Sequence, residues 1–91
     1  MGRHDLDLIA RRGSVVAFVE VKARRSARFG GGEEAVGPRK RHVLERVAWS
    51  WIIKYGSVGD QYRFDVLLLT GAGPGARTLT QIEDAWRPGW R

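Results

Sequence analysis

An α/β fold with a mixed sheet of three to four strands and one main helix is the class this sequence predicts. Three observations carry that expectation. Val15-Val16-Ala17-Phe18-Val19 has the β-branched and aromatic composition of a strand. Residues 38–55 repeat apolar side chains at helical spacing, and Val66-Leu67-Leu68-Leu69 is a second short apolar run. At 91 residues the chain has room for one modest core, so a single domain is expected over residues 1–91, with an irregular tail from Trp86 to Arg91.

Taken in order, residues 5–10 and 14–22 read as two strands around a turn at Arg12-Gly13. A loop follows from Arg24 to Gly37, with Gly30-Gly31-Gly32 at its centre and no phosphate-loop spacing around it. Pro38 opens a helix that runs to about Tyr55 and stops at Gly56, the usual punctuation of helix ends. Leu44, Val47, Ala48, Trp51 and Tyr55 form its expected buried stripe, which leaves Trp49 and Ile53 on the polar side. Residues 62–70 read as a third strand, residues 71–76 as a turn-rich loop and residues 79–82 as a short fourth strand. The hairpin is apolar on both sides: Leu6, Leu8, Val15, Ala17, Val19 and Val21 point one way, Ile9, Val16 and Phe18 the other. A sheet of that kind needs cover on both faces, and one helix covers one.

Composition narrows the chemistry. With no cysteine there is no disulfide framework, no thiolate zinc site and no cysteine nucleophile. Only His4 and His42 are present, so a metal site would rest mainly on carboxylates, which favours Mg²⁺, Mn²⁺ or Ca²⁺. Sixteen Lys and Arg against ten Asp and Glu give a net charge of +6, and a basic balance of this kind suits nucleic acid as a partner. No apolar run approaches the roughly 18 residues that span a membrane, and Met1 to Asp5 runs straight into a strand pattern without a signal peptide. The expected compartment is the cytoplasm.

The residues that could do chemistry are Asp7, Glu20 and Lys22. Glu20 and Lys22 share a strand face because side chains alternate. A two-residue turn at Arg12-Gly13 pairs position 7 with position 18, which puts Asp7 on that face too, diagonal to Glu20. Any even-length turn preserves this, because parity decides the face. Charges placed beside Phe18, Val16 and Ile9 call for a partner or a metal. Two carboxylates offer oxygen ligands to a hard cation, and a lysine beside them can orient water or stabilise developing negative charge. An ordinary surface ion pair between Glu20 and Lys22 is the plain alternative.

Asp7-Leu8-Ile9-Ala10 followed by Phe18-Val19-Glu20-Val21-Lys22 resembles the YraN-like family of small bacterial proteins. The likeness continues through Arg28-Phe29-Gly30, residues 34–40, Arg63-Phe64-Asp65-Val66 and Ile82-Glu83-Asp84-Ala85-Trp86. That family looks like a branch of the PD-(D/E)XK superfamily, so the resemblance implies a restriction endonuclease-like core and metal-dependent cleavage of DNA, including branched or structured DNA. It implies Asp7 and Glu20 as metal ligands, the Val21 carbonyl as a backbone ligand, and Lys22 as the catalytic lysine. Family members usually begin with a helix and a strand ahead of the Asp motif, the helix adding an acidic residue. Those elements are expected to be missing here, since the sequence opens almost at Asp7. The usual Gly-Glu before the motif appears as His4-Asp5, and the usual Thr or Ser before Pro38 is Gly37.

Lys40, Arg39 and Arg24 are the candidates for contacting nucleic acid. In the family the start of this helix faces the active site, which would let Lys40 hold a substrate phosphate. Arg39, Lys40 and Arg41 oppose the helix dipole by roughly 0.3–1 kcal/mol each, and a bound phosphate would relieve the conflict. Solvated, snorkelling cations are the plain alternative for Arg39 and Arg41. Four tryptophans could stack bases, but packing is expected for Trp51 and an interface for Trp49. The functional expectation is a Mg²⁺- or Mn²⁺-dependent DNA hydrolase, or else a nucleic-acid-binding module that kept the fold and lost turnover. Self-association, as a homodimer or otherwise, is expected from the uncovered sheet face.

Overall fold

The computed structural model describes residues 6–25, 36–71, 75 and 77–90. Four strands form one mixed sheet in the order β1 (Leu8–Arg12), β2 (Val15–Arg24), β3 (Gln61–Thr70), β4 (Thr78–Trp86), and helix α1 (Pro38–Tyr55) lies between β2 and β3 in the chain. The outer pairs are antiparallel and the central β2–β3 pair is parallel. This is the α/β arrangement expected, a mixed sheet with one helix among the described residues.

The hairpin turn falls at Gly13-Ser14, one residue later than Arg12-Gly13. Gly13 takes φ +60°, which a residue without Cβ adopts readily and an arginine does not. Leu8 therefore pairs with Val19 and Ile9 with Phe18. The register moves by two residues, so the side chains within the ladder, from Leu8 to Arg12 and from Val15 to Val19, keep their faces. β1 accordingly ends at Arg12 rather than residue 10, and β2 continues to Arg24 rather than Lys22. Expectations for residues 1–5, for Gly30-Gly31-Gly32 and for Arg28-Phe29 lie outside the described residues.

The core fills the space between α1 and the sheet face that carries Val16, Phe18, Phe64 and Val66, with Leu44 and Ala48 supplied by the helix. An aromatic row crosses this face: Trp51 meets Phe18 edge-on at 5.7 Å, Phe18 meets Phe64 at 5.5 Å, and Phe64 stacks on Trp86 at 4.7 Å. Full burial of one such ring is worth about 1.5–3 kcal/mol. Three expectations need correction. Tyr55 is exposed, its ring leaning on Trp51 at 5.6 Å, while Ile52 packs on the core. Leu6 joins the helix-side core instead of sharing a face with Leu8, because the chain leaves the ladder before β1 begins. β4 is much longer than residues 79–82: an irregularity between Phe64 and Val66, where Asp84 takes φ +53°, lets the strand carry on to Trp86. Trp86 thus belongs to the core, not to the tail.

The other sheet face has no helix over it among the described residues. Leu8, Val21 and Leu79 on that face are 48%, 43% and 63% exposed. Val19 and Asp65 are buried at its centre.

One polar joint ties β1, the end of α1 and β3 together. Arg11 donates two hydrogen bonds to Asp60, at 2.9 and 2.8 Å, and the Ser57 N–H adds a third at 2.8 Å. The Asp60 carboxylate also accepts the Tyr62 hydroxyl at 3.3 Å. Behind it, a Cβ on Gly56 would come within 2.5 Å of that hydroxyl, so the helix exit requires glycine. The Arg11 guanidinium and the Ser57 N–H hold the Asp60 carboxyl well below the usual carboxylate range. A depressed folded-state pKa contributes stability that is complete above the unfolded value of about 3.9 and fades as pH falls through the folded one. Asp60→Asn should therefore lower the urea midpoint at pH 7, and the gap to the parent protein should close as pH falls below about 4. A gap that is independent of pH would assign the loss to packing rather than to the charge.

Candidate active site

β2 runs out of the core at its C-terminal end, and the site begins there. Alternation carries Glu20 and Lys22 on the same face as Val16 and Phe18, opposite Val66 and Leu68 of β3. Glu20 is buried, and its Oε2 lies 3.4 Å from the Lys22 Nζ. Its other oxygen, Oε1, is buried with no hydrogen-bond partner among the described residues. A buried polar atom left unpaired is costly, so this one marks the site.

Asp7 is fastened to the same strand from the other side. Its N–H donates to the Val19 carbonyl at 3.2 Å, and its Oδ2 accepts the Val21 N–H at 2.9 Å. Asp7 is the residue just before the Leu8–Val19 pair, so it lies opposite Glu20 rather than opposite Phe18. Its charge reaches Glu20, as do those of Lys22 and of Lys40 in the first turn of α1. Burial pushes the Glu20 carboxyl up, and Asp7 adds to the rise; Lys40 and Lys22 oppose it.

Asp7, Glu20, Lys22 and Lys40 are thus brought together, and the Val21 main chain joins them through its hydrogen bond to Asp7. Arg24 follows two residues after Lys22 on the same strand face, half-buried, with its carbonyl accepting the Gly71 N–H at 3.0 Å. Arg39 is on the exposed side of α1. Arg41 is turned to structure: its Nε donates to the Val36 carbonyl at 2.8 Å and its guanidinium lies over Trp86. Gly37 caps α1 without a side-chain hydrogen bond, and no acidic residue occupies the first turn. Among the described residues no group of three or more His, Cys, Asp or Glu side chains gathers as a metal cluster.

A second buried carboxylate escaped the sequence reading. Asp65 pairs with Val19, which places it on the sheet face away from Glu20. It accepts Arg63 Nε at 3.0 and 3.2 Å, Gln81 Nε2 at 3.1 Å and the Asp84 N–H at 3.0 Å. Both oxygens are in use, and the last bond fixes the β4 irregularity. Arg63 two residues before Asp65, within an apolar strand, was the available signal.

Glu20 yields a prediction about stability. A raised folded-state pKa means the charged form is disfavoured in the fold: its contribution is favourable below the unfolded value of about 4.3 and is lost as pH rises through the folded value. With divalent metal chelated, Glu20→Gln should raise the urea midpoint at pH 7, and that advantage should vanish as pH falls to about 4. A Gln variant less stable at every pH would mean that the Lys22 pair outweighs the burial.

Comparison with known proteins agrees with the residue pattern. Residues 1–69 match the uncharacterised protein family UPF0102. A UPF0102 protein of Geobacter sulfurreducens is 35% identical over 82 residues, covering 90% of this chain and 64% of the relative. One of Anaeromyxobacter sp. (strain Fw109-5) is 43% identical over 74 residues, 79% of this chain and 56% of the relative. A third, from Alkaliphilus metalliredigens, is 45% identical over 62 residues, 68% of this chain and 54% of the relative. The chain spans about half to two thirds of the length of these curated relatives. With most of its length matched, it belongs to the UPF0102, or YraN-like, family.

Proposed function

We propose that this chain hydrolyses phosphodiester bonds of DNA with Mg²⁺ or Mn²⁺, on a branched or otherwise structured substrate. The observation that carries the reading is the buried Glu20 oxygen without a partner, beside a second carboxylate and two lysines. Hard divalent cations take oxygen ligands, and an orphaned carboxylate oxygen next to Asp7 suits one. Asp7 and Glu20 would hold the ion, with the Val21 carbonyl as a backbone ligand. When bound, such an ion acidifies a water and offsets charge on the phosphoryl oxygens.

The chain's own residues supply the rest. The Val21 N–H orients the Asp7 carboxylate through one oxygen. Lys22, held by Glu20, presents its ammonium to a phosphoryl oxygen or to the attacking water. Lys40, with Arg24 and Arg39 further out, offsets phosphate charge, and the net charge of +6 draws a polyanion in. Phe18, two residues before Glu20 on the same strand face, is fully buried in the core.

A binding module that retains the fold without turnover is the second reading, favoured by the carboxylate pair being two rather than three among the described residues. No helix among the described residues is long and apolar enough to cross a membrane, and we infer action in the cytoplasm, on DNA there. The exposed Leu8, Val21 and Leu79 support self-association, a homodimer in its simplest form. Sedimentation should show a species larger than the monomer at micromolar concentration; a stable monomer would refute that association.

The deciding assay is cleavage of duplex and branched DNA with Mg²⁺ or Mn²⁺. Asp7→Asn, Glu20→Gln and Lys22→Ala should each lower the rate roughly a hundredfold or more. DNA affinity should survive in all three, and losing a carboxylate near the phosphates should tighten it. Equal cleavage by parent and variants would expose a contaminant. No cleavage by the parent protein under any metal would leave the binding module as the better reading.

A further inference from the structure

Two clefts flank one pair of exposed tryptophans. Trp49 on the outer side of α1 and Trp90 beyond β4 have ring centroids 5.2 Å apart and are 47% and 38% exposed. One cleft, of about 400 Å³, is bounded by both rings with His42, Glu45, Arg46 and Ser50. The other, of about 410 Å³, is bounded by both rings with Asp60, Gln61 and Tyr62. Each is large enough for a nucleotide-sized group. Trp90 is steadied from within by Phe64, edge-on at 6.2 Å, so the shelf is fixed to the core.

The carboxylates in these clefts are already engaged. Glu45 accepts the Trp86 indole N–H at 2.9 Å, and Asp60 is held by Arg11 and Ser57. Arg46 is the exposed charge beside the rings, and at 3.6 residues per turn Arg39, His42 and Arg46 fall on the same side of α1 as Trp49. Exposed aromatic rings in line with arginines form the combination that takes unpaired bases: the rings stack, and the cations meet phosphates. A basic stripe of this kind is complementary to a polyanion, not to another copy of a chain carrying +6.

We propose that the Trp49–Trp90 shelf binds a single-stranded segment of DNA, with a base stacked on Trp49 and phosphates at Arg46 and Arg39. Nine residues separate Lys40 from Trp49, about 13 Å along the helix axis and half a turn around it, so a strand that reaches both passes around the start of α1, where Arg39 and His42 lie. As an account of substrate, this rests on the nuclease reading and narrows it to DNA with an unpaired stretch next to the cleaved bond.

The test uses the 91-residue protein with divalent metal chelated, so that binding is read without cleavage. Oligothymidylate should quench the tryptophan fluorescence, and a blunt duplex of equal length should quench it less. Trp49→Ala should weaken oligothymidylate binding roughly five- to a hundredfold while leaving blunt-duplex affinity unchanged, and Trp49→Phe should restore part of the loss. Arg46→Gln should lower the salt dependence of oligothymidylate binding by about 0.7 in log–log slope. Absence of oligothymidylate binding, or unchanged affinity in Trp49→Ala, overturns the proposal. So does a Trp49→Ala protein that loses self-association with its single-strand affinity intact, which would make the shelf a protein interface. Failure of the parent protein to cleave any DNA would sink the nuclease reading alone, since the stacking measurement does not depend on turnover.

Discussion

A parallel pair of strands cannot be closed by a tight turn, and the β2–β3 pair at the centre of this sheet is parallel. The chain must leave the end of β2, cross one face and come back to the start of β3, and α1 lies on that return path. Which face receives the helix is then set by hydrophobicity: Val16, Phe18, Phe64 and Val66 all point there, and Leu44 and Ala48 meet them. The same crossover brings the first turn of α1 to the end of β2. Alternation that buries Phe18 under the helix also carries Glu20 and Lys22 toward Lys40. The core and the candidate site are consequences of one topological requirement, and neither could be moved without the other.

Much of this was legible because parity is robust where register is not. The turn lies one residue later than Arg12-Gly13, yet Ile9 still faces Phe18 and Leu8 still faces away from it, since moving a two-residue turn by one position shifts the pairing by two. The helix limits were legible for a different reason: Pro38 and Gly56 act locally, on backbone dihedrals, and need no tertiary information. Tyr55 was misjudged because helical periodicity continues past the point where the helix has sheet beneath it. Periodicity reports a direction around the helix axis, not the presence of a neighbour.

The length of β4 was hidden by chemistry that only the fold reveals. Glu83-Asp84 interrupts the alternation and reads as a strand end, and Asp84 in a left-handed conformation would ordinarily be one. Its N–H is captured by Asp65 at 3.0 Å, a residue nineteen positions earlier on a neighbouring strand. That contact holds the irregularity and lets pairing resume at Trp86, whose ring then closes the aromatic row. Trp86 looked like the start of an irregular tail for the same reason. A long-range hydrogen bond that repairs a local defect leaves no periodic trace in sequence.

Asp65 and Glu20 make the most instructive contrast in the molecule. Both are carboxylates buried in neighbouring strands of one sheet, and in sequence they look alike, each within an apolar run with a basic residue two positions away. Asp65 has every oxygen committed, to a guanidinium, an amide and a main-chain N–H. Such a group is held by its partners and has nothing left to offer a ligand. Glu20 has one oxygen paired to a flexible lysine and the other without a partner among the described residues, and burial pushes its carboxyl up. A fold that can satisfy a buried carboxylate as fully as it does Asp65, one strand away, has left Glu20 incomplete where two lysines and Asp7 converge. Stability alone would favour filling that gap with a donor or replacing the charge with an apolar group. On the proposed reading the missing partner arrives with the substrate; it is the difference in saturation, more than the burial of either residue, that sets Glu20 apart from Asp65.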